Sequence, residues 1–135
     1  MDDILLAKAA IIERCLRRVD AEYQDDPERL EDFTYQDAIV LNLQRACQAA
    51  IDMAMHVVAR DHLGAPASSA EAFDLLAKAG RIDAELAKRM RGMVGFRNIA
   101  VHEYQKLDLA ILQAVIEHGG DDFVAFCAAF GLKIL

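Results

Sequence analysis

Gly95-Phe96-Arg97-Asn98-Ile99-Ala100-Val101-His102-Glu103-Tyr104 puts a guanidinium, an amide, an imidazole and a phenol into one short segment that reads as helix. Together these groups are equipped to bind and cleave a phosphodiester. At 3.6 residues per turn, with Arg97 at 0°, Asn98 falls at about 100°, His102 at about 140° and Tyr104 at about 340°. Arg97 and Tyr104 would share one stripe, and Asn98 and His102, four apart, the next. Arg97 and His102 are too divergent on a straight helix to touch one small atom, so they flank a groove. The pair becomes compact if the helix ends near His102, or if a second copy supplies the other half across a twofold axis.

Outward from this segment the chain reads as helix throughout. Ile4 to about Tyr23 carries Leu5, Ala9, Ile12, Leu16 and Val19 on one stripe and stops before Asp25-Asp26-Pro27. Leu30-Glu31-Asp32-Phe33-Thr34 reads as a connection or short turn. A long, central helix is expected from about Tyr35 to His62, stopped by Gly64-Ala65-Pro66. Its polar residues Asn42, Arg45, Gln48, Asp52, His56 and Arg60 form one seam, facing solvent, a cleft or a symmetry mate. Ser68 and Glu71 make a capping-box start for a helix that ends at Ala79-Gly80. Ile82-Asp83 opens the motif helix, with Leu86, Met90, Met93, Val94 and Phe96 as core contacts. Gly92 and Gly95 each cost ~1 kcal/mol there relative to Ala, which points to a close helix approach or a bend. Leu107 to about His118 forms another helix, broken at Gly119-Gly120, and Asp121 to Phe130 a last one. The expected fold is all-α, an up-and-down bundle of four to five helices in a single domain over 1–135.

Composition agrees: 135 residues, 55% hydrophobic, with no Trp and two Pro, suffice for one core and favour helix over sheet. No apolar run approaches the ~18 residues a membrane span needs, and Met1-Asp2-Asp3 opens with acid rather than a basic signal segment. A cytoplasmic address is expected, with no membrane association. Helices this apolar in a short chain leave a face for a partner, so a homodimer is expected through the motif-bearing face. Cys15, Cys47 and Cys127 are far apart in apolar contexts and read as reduced core residues.

The net charge of −7 argues against a broad nucleic-acid surface. Charge is unevenly spread, however. Between Lys78 and Lys106, seven basic residues face three acids, a local +4 that leaves −11 for the rest. That excess fits either a solvated face or a local phosphate footprint. There is no P-loop, dinucleotide turn or nucleophile elbow. His56 and His62 fall on different faces, Asp52 and His56 read as a solvated or ion-paired couple, and His118 beside Asp121-Asp122 reads as a helix-end residue. Neither a metal nor a cofactor is expected.

The ten-residue run, with its Arg-x4-His-x-Tyr pattern late in a bundle helix, resembles the HEPN superfamily and, within it, the HepT-type toxins. The resemblance extends over nearly the whole chain. It implies a toxin of a toxin–antitoxin system: a metal-independent endoribonuclease with a composite site built from both copies of the motif in a homodimer. It also implies a minimal nucleotidyltransferase antitoxin that transfers AMP to the motif tyrosine, here Tyr104. The chemistry of the residues fits. Histidine, with an ordinary pKa of about 6.5, exchanges protons near neutrality, which suits His102 to act on the 2′-hydroxyl or the leaving oxygen. Arg97 offers a planar fork for phosphate oxygens, and Asn98 is placed to hold the imidazole or donate to the phosphate. One histidine per chain supplies one proton-transfer group, and a dimer supplies two. AMP on Tyr104 would add negative charge and bulk beside Arg97. The rival reading is a non-catalytic helical module that binds or regulates a nucleotidyltransferase.

Overall fold

The computed structural model describes residues 2–135; of the opening Met1-Asp2-Asp3, Met1 lies outside the described residues. Five α-helices follow in order: α1 (Asp3–Tyr23), α2 (Phe33–Arg60), α3 (Ser69–Lys78), α4 (Ala84–His102) and α5 (Leu109–Ala129), with 3-10 turns at Pro27–Glu31 and Tyr104–Lys106. Among the described residues there is no strand.

Short polar side chains start every helix. Asp2 accepts from the amides of Ile4 and Leu5, Asp32 from Thr34, Asp83 from Leu86 and Asp108 from Ala110. Each satisfies an amide that lacks a helical partner. Ser68 Oγ accepts from Glu71 N at 3.2 Å, as the capping pattern predicts, but Glu71 Oε2 reaches back to Ala67 N rather than to Ser68. Asp32 is also why α2 begins two residues earlier than the apolar pattern suggests: Phe33 and Thr34 belong to its first turn, not to a loop.

The core is shared by all five helices. Ile12, Leu16 and Val19 of α1 meet Ile39, Leu43, Met53 and Val57 of α2, while Phe73, Met90, Leu112, Phe123 and Phe126 bring in the other three. Phe126 packs edge-on against Phe73, with centroids 5.4 Å apart. Leu86, Met90, Met93, Val94 and Phe96 are buried, as expected of the motif helix. The polar seam of α2 divides. His56 Nε2 lies 2.6 Å from Asp2, Lys8 Nζ donates to Asp52 at 2.9 Å, and Gln48 donates to the same carboxylate. These ties fasten α2 to α1, so Asp52 and His56 bond to separate partners, not to each other.

Two expectations fail at glycines. Helix α5 runs unbroken through Gly119-Gly120. The ~1 kcal/mol cost of each helical glycine is outweighed by burial of Leu112, Phe123, Phe126 and Cys127 on that helix. Gly119 is itself buried, and a Cβ there would come within 2.7 Å of Met93 Cε, so the residue serves helix contact rather than a break. His118 therefore lies inside a helix instead of at its end. Gly92 and Gly95, by contrast, meet no neighbour of their own chain within 4 Å. Their bare backbone faces outward, and the close approach expected of them does not occur within this chain.

All three cysteines are free and buried. Burial pushes the Cys47 thiol up to about 12 and that of Cys127 to about 11, which leaves them protonated packing residues. No helix among the described residues is long and apolar enough to cross a membrane.

Candidate active site at the end of the fourth helix

Helix α4 stops at His102, where Glu103 N closes the last turn on Ile99 O at 2.8 Å. His102 is thus the final helical residue and is exposed. The chain then folds into the Tyr104–Lys106 turn, so Tyr104 lies beyond the helix and does not share a helical stripe with Arg97. Arg97, Asn98 and His102 all lie in the last six residues of α4, near one tip of the bundle, and because both Arg97 and His102 are helical they keep the divergence expected of their spacing.

Arg97 is half-buried. Its Nη1 donates to Asn98 Oδ1 at 3.0 Å, so Asn98 orients the guanidinium, and the imidazole of His102 makes no side-chain hydrogen bond within the described residues. Arg97 Nε is buried with no partner. A charged donor left unpaired in this way costs free energy that a ligand oxygen would recover. The guanidinium also sits close enough to Cys47 to oppose, without overcoming, the upward push of burial on that thiol.

Tyr104 turns back onto the start of α2. Its hydroxyl donates to the Asp37 carboxylate, with Gln36 Oε1 at 3.2 Å as a second acceptor. Gln36 is buried and fixed from the other side by its Nε2, which donates to Leu30 O at 3.0 Å. Burial first, then the bond to Asp37 and its charge, holds the Tyr104 phenol well above the ordinary tyrosine range. Gln36 and Asp37 were not singled out from the sequence: they lie 68 and 67 residues from Tyr104, with no local spacing to betray them.

The basic excess between Lys78 and Lys106 is largely consumed inside the fold. Arg81 pairs with Asp61, Arg89 with Asp122 at 2.7 Å, Arg91 with Asp74 at 3.3 Å, and Lys106 with Glu103 at 3.7 Å. Lys78, Lys88 and Arg97 are the basic residues of that segment left without an ion pair among the described residues. No cluster of three His, Cys, Asp or Glu that could hold a metal ion occurs among the described residues.

Known proteins share this architecture. An mRNA nuclease HepT of Shewanella oneidensis is 45% identical over 126 residues, 93% of this chain and 95% of that protein. A tRNA nuclease HepT of Aphanizomenon flos-aquae is 39% identical over 66 residues, covering 49% of this chain and 45% of that protein. The solved structure of a tri-AMPylated Shewanella oneidensis HEPN toxin in complex with MNT antitoxin matches at a TM-score of 0.92 and 43% identity, over 97% of this chain and 98% of that one. Residues 11–130 match the ribonuclease HepT-like family, and the chain belongs to it. The all-α bundle, the kinship to HepT toxins and the ribonuclease class expected from the motif all stand.

Proposed function

We propose that this protein is the toxin of a toxin–antitoxin pair, an endoribonuclease whose composite site is formed by Arg97 and His102 of two copies and is silenced by a nucleotidyltransferase antitoxin acting on Tyr104. The observation that carries the reading is the half-satisfied guanidinium of Arg97, oriented by Asn98 and with Nε orphaned, on the same helix tip as a free, exposed His102. In cleavage through the 2′-hydroxyl, one imidazole removes that proton while the other protonates the 5′-oxygen that leaves. The arginines stabilise the charge that builds on the phosphorane. The motif carries a single imidazole per chain, and His56 is engaged by Asp2 on the α1–α2 side.

A dimer through the α4 face meets the need. Gly92, Gly95 and Ile99 fall on one stripe, the glycines open and Ile99 38% exposed, so a second α4 would approach closely there. The two HepT relatives are named for different RNAs, mRNA and tRNA. RNA is the substrate class the two names share.

Silencing follows from the placement of Tyr104 two residues past His102. Its oxygen would bond to the α-phosphorus of a nucleoside triphosphate, with pyrophosphate leaving and the phenolic proton lost. The resulting phosphodiester anion would compete for Arg97 and obstruct the site. The test is RNA cleavage in chelator by wild type, Arg97→Ala and His102→Ala, followed by AMP incorporation into wild type and Tyr104→Phe by the partner enzyme. Cleavage lost in both alanine variants, and labelling lost only in Tyr104→Phe, is the expected result.

A further inference from the structure

Helices α1 and α2 enclose a groove of about 690 Å³ on a face the motif does not use. Arg14, Arg17 and Arg18 line it from α1 and Arg45 from α2, with Leu41 and Ala38 beside them; no acid lines it. This is an unusual concentration in a chain of net charge −7: four of its fifteen basic residues meet at one cavity. No linear run announces it, because the arginines come from two helices.

The arginines differ in freedom. Arg17 reaches Glu13 at 3.3 Å and Arg18 reaches Glu22 at 3.2 Å, both one turn away on an exposed surface. Pairs of that kind contribute little and yield readily to a competing anion. Among the described residues no carboxylate lies within ion-pair distance of Arg14 or Arg45. Both nevertheless lie near the Cys15 thiol, where their charges oppose the upward push of burial. Two uncompensated guanidinium groups thus share one short stretch of surface.

The groove and the Tyr104 seat share helix α2. Ala38, which lines the groove, follows Asp37 in the chain, the acceptor that holds Tyr104. Eight residues of helix separate Asp37 from Arg45, about 12 Å along the axis. A strand held at the Tyr104 turn would have that axial length of α2 to cover before reaching Arg45. Arginine suits that ligand doubly, since its fork pairs with phosphate oxygens and its plane stacks on unpaired bases. Leu41, 42% exposed, adds an apolar contact for a base.

We propose that the groove of Arg14, Arg17, Arg18 and Arg45 is a second RNA-binding surface, which holds the phosphate backbone of single-stranded substrate flanking the cleaved bond. The proposal rests on the ribonuclease reading, and its test separates the two. Binding of a labelled single-stranded RNA is followed by anisotropy over a range of salt concentrations. The protein is full-length His102→Ala, which leaves the substrate uncut. Adding Arg14→Ala and Arg45→Ala should weaken binding about tenfold or more and lower the salt slope by about one to two. Removing the same charge elsewhere, with Lys78→Ala and Lys133→Ala, should change neither. Arg14→Lys with Arg45→Lys, the variant that keeps charge and surface, should retain the salt slope and lose part of the affinity.

Unchanged affinity and slope in the folded alanine pair would overturn the proposal. So would unchanged RNA binding with lost capture of the nucleotidyltransferase, which would make the groove a protein-docking face. Failure of the wild type to cleave RNA, with the arginine effect on binding intact, would sink the nuclease reading and leave the groove standing.

Discussion

The Tyr104 hydroxyl donates to the Asp37 carboxylate, joining the turn after the motif helix to the first turns of α2. This bond needs the phenolic proton. A nucleotide on that oxygen removes the proton and sets a phosphodiester anion against a carboxylate, so modified Tyr104 has to leave its seat. AMP on this oxygen would therefore displace the segment immediately after His102. Tyr104→Phe should cost about 1 to 2 kcal/mol of unfolding free energy in urea titration, since two acceptors lose a donor at a partly exposed site. In growth assays the same variant should stay toxic when the antitoxin is co-expressed. Rescue by the antitoxin equal to that of wild type would count against Tyr104 as the modified residue.

The pH behaviour of the seat follows from the same contacts. Burial, and secondarily Asp37, raises the Tyr104 pKa in the folded chain above the ordinary value of 10; burial and Glu117 raise Tyr23 to about 12. Folding therefore favours the protonated phenols. Their contribution to stability is fully present below pH 10 and is lost as pH climbs through the folded values. Unfolding free energy should fall as alkali is added beyond pH 10. Asp37→Asn should lower the phenolate titration of Tyr104, followed by absorbance near 295 nm, only part of the way, because burial is the larger cause. A titration unmoved by Asp37→Asn would show that the carboxylate does not hold the phenol.

Gly95→Arg separates folding from assembly. The position is open within the chain, and replacing a helical glycine favours α4 by up to ~1 kcal/mol. Helix content and melting should be preserved or improved, while sedimentation should show loss of the dimer and cleavage should fall with it. A variant still dimeric and still active would exclude the α4 face as the interface.

Gly120→Ala tests the continuity of α5. Nothing lies within 4 Å of a Cβ there, so the substitution should stabilise the protein by about 0.5 to 1 kcal/mol in denaturant titration. Gly119→Ala should gain less, because Met93 must move its terminal methyl to make room. Destabilisation by Gly120→Ala would mean that the helix breaks there after all.

The same two glycines mark where sequence reading reaches its limit. Apolar spacing and cap residues placed the ends of α1, α2 and α3 and the start of α4 to within a few residues because both signals are local: Ser68, Asp83 and the stripe from Leu5 to Val19 depend only on near neighbours. Whether Gly119-Gly120 ends a helix is decided by Phe123 and Phe126 packing against other helices, which local preference does not contain. At the site, Arg97, Asn98, His102 and Tyr104 were legible because they lie within eight residues. Gln36 and Asp37 were not, since their role exists only once α2 and the Tyr104 turn are side by side. Charge misled in the same manner. Arg81, Arg89 and Arg91 of the basic run from Lys78 to Lys106 are paired by acids from other elements, while the arginine groove comes together only when α1 lies on α2.

The most direct test of the account is cleavage of single-stranded RNA in excess chelator by purified wild type, Arg97→Ala and His102→Ala, each first shown to be folded and dimeric. Cleavage by the wild type, with a loss of about a hundredfold or more in each variant, is the predicted result, in line with the removal of a proton-transfer group or of charge stabilisation at a phosphorane. Undiminished cleavage by His102→Ala, or none by the wild type, would contradict it.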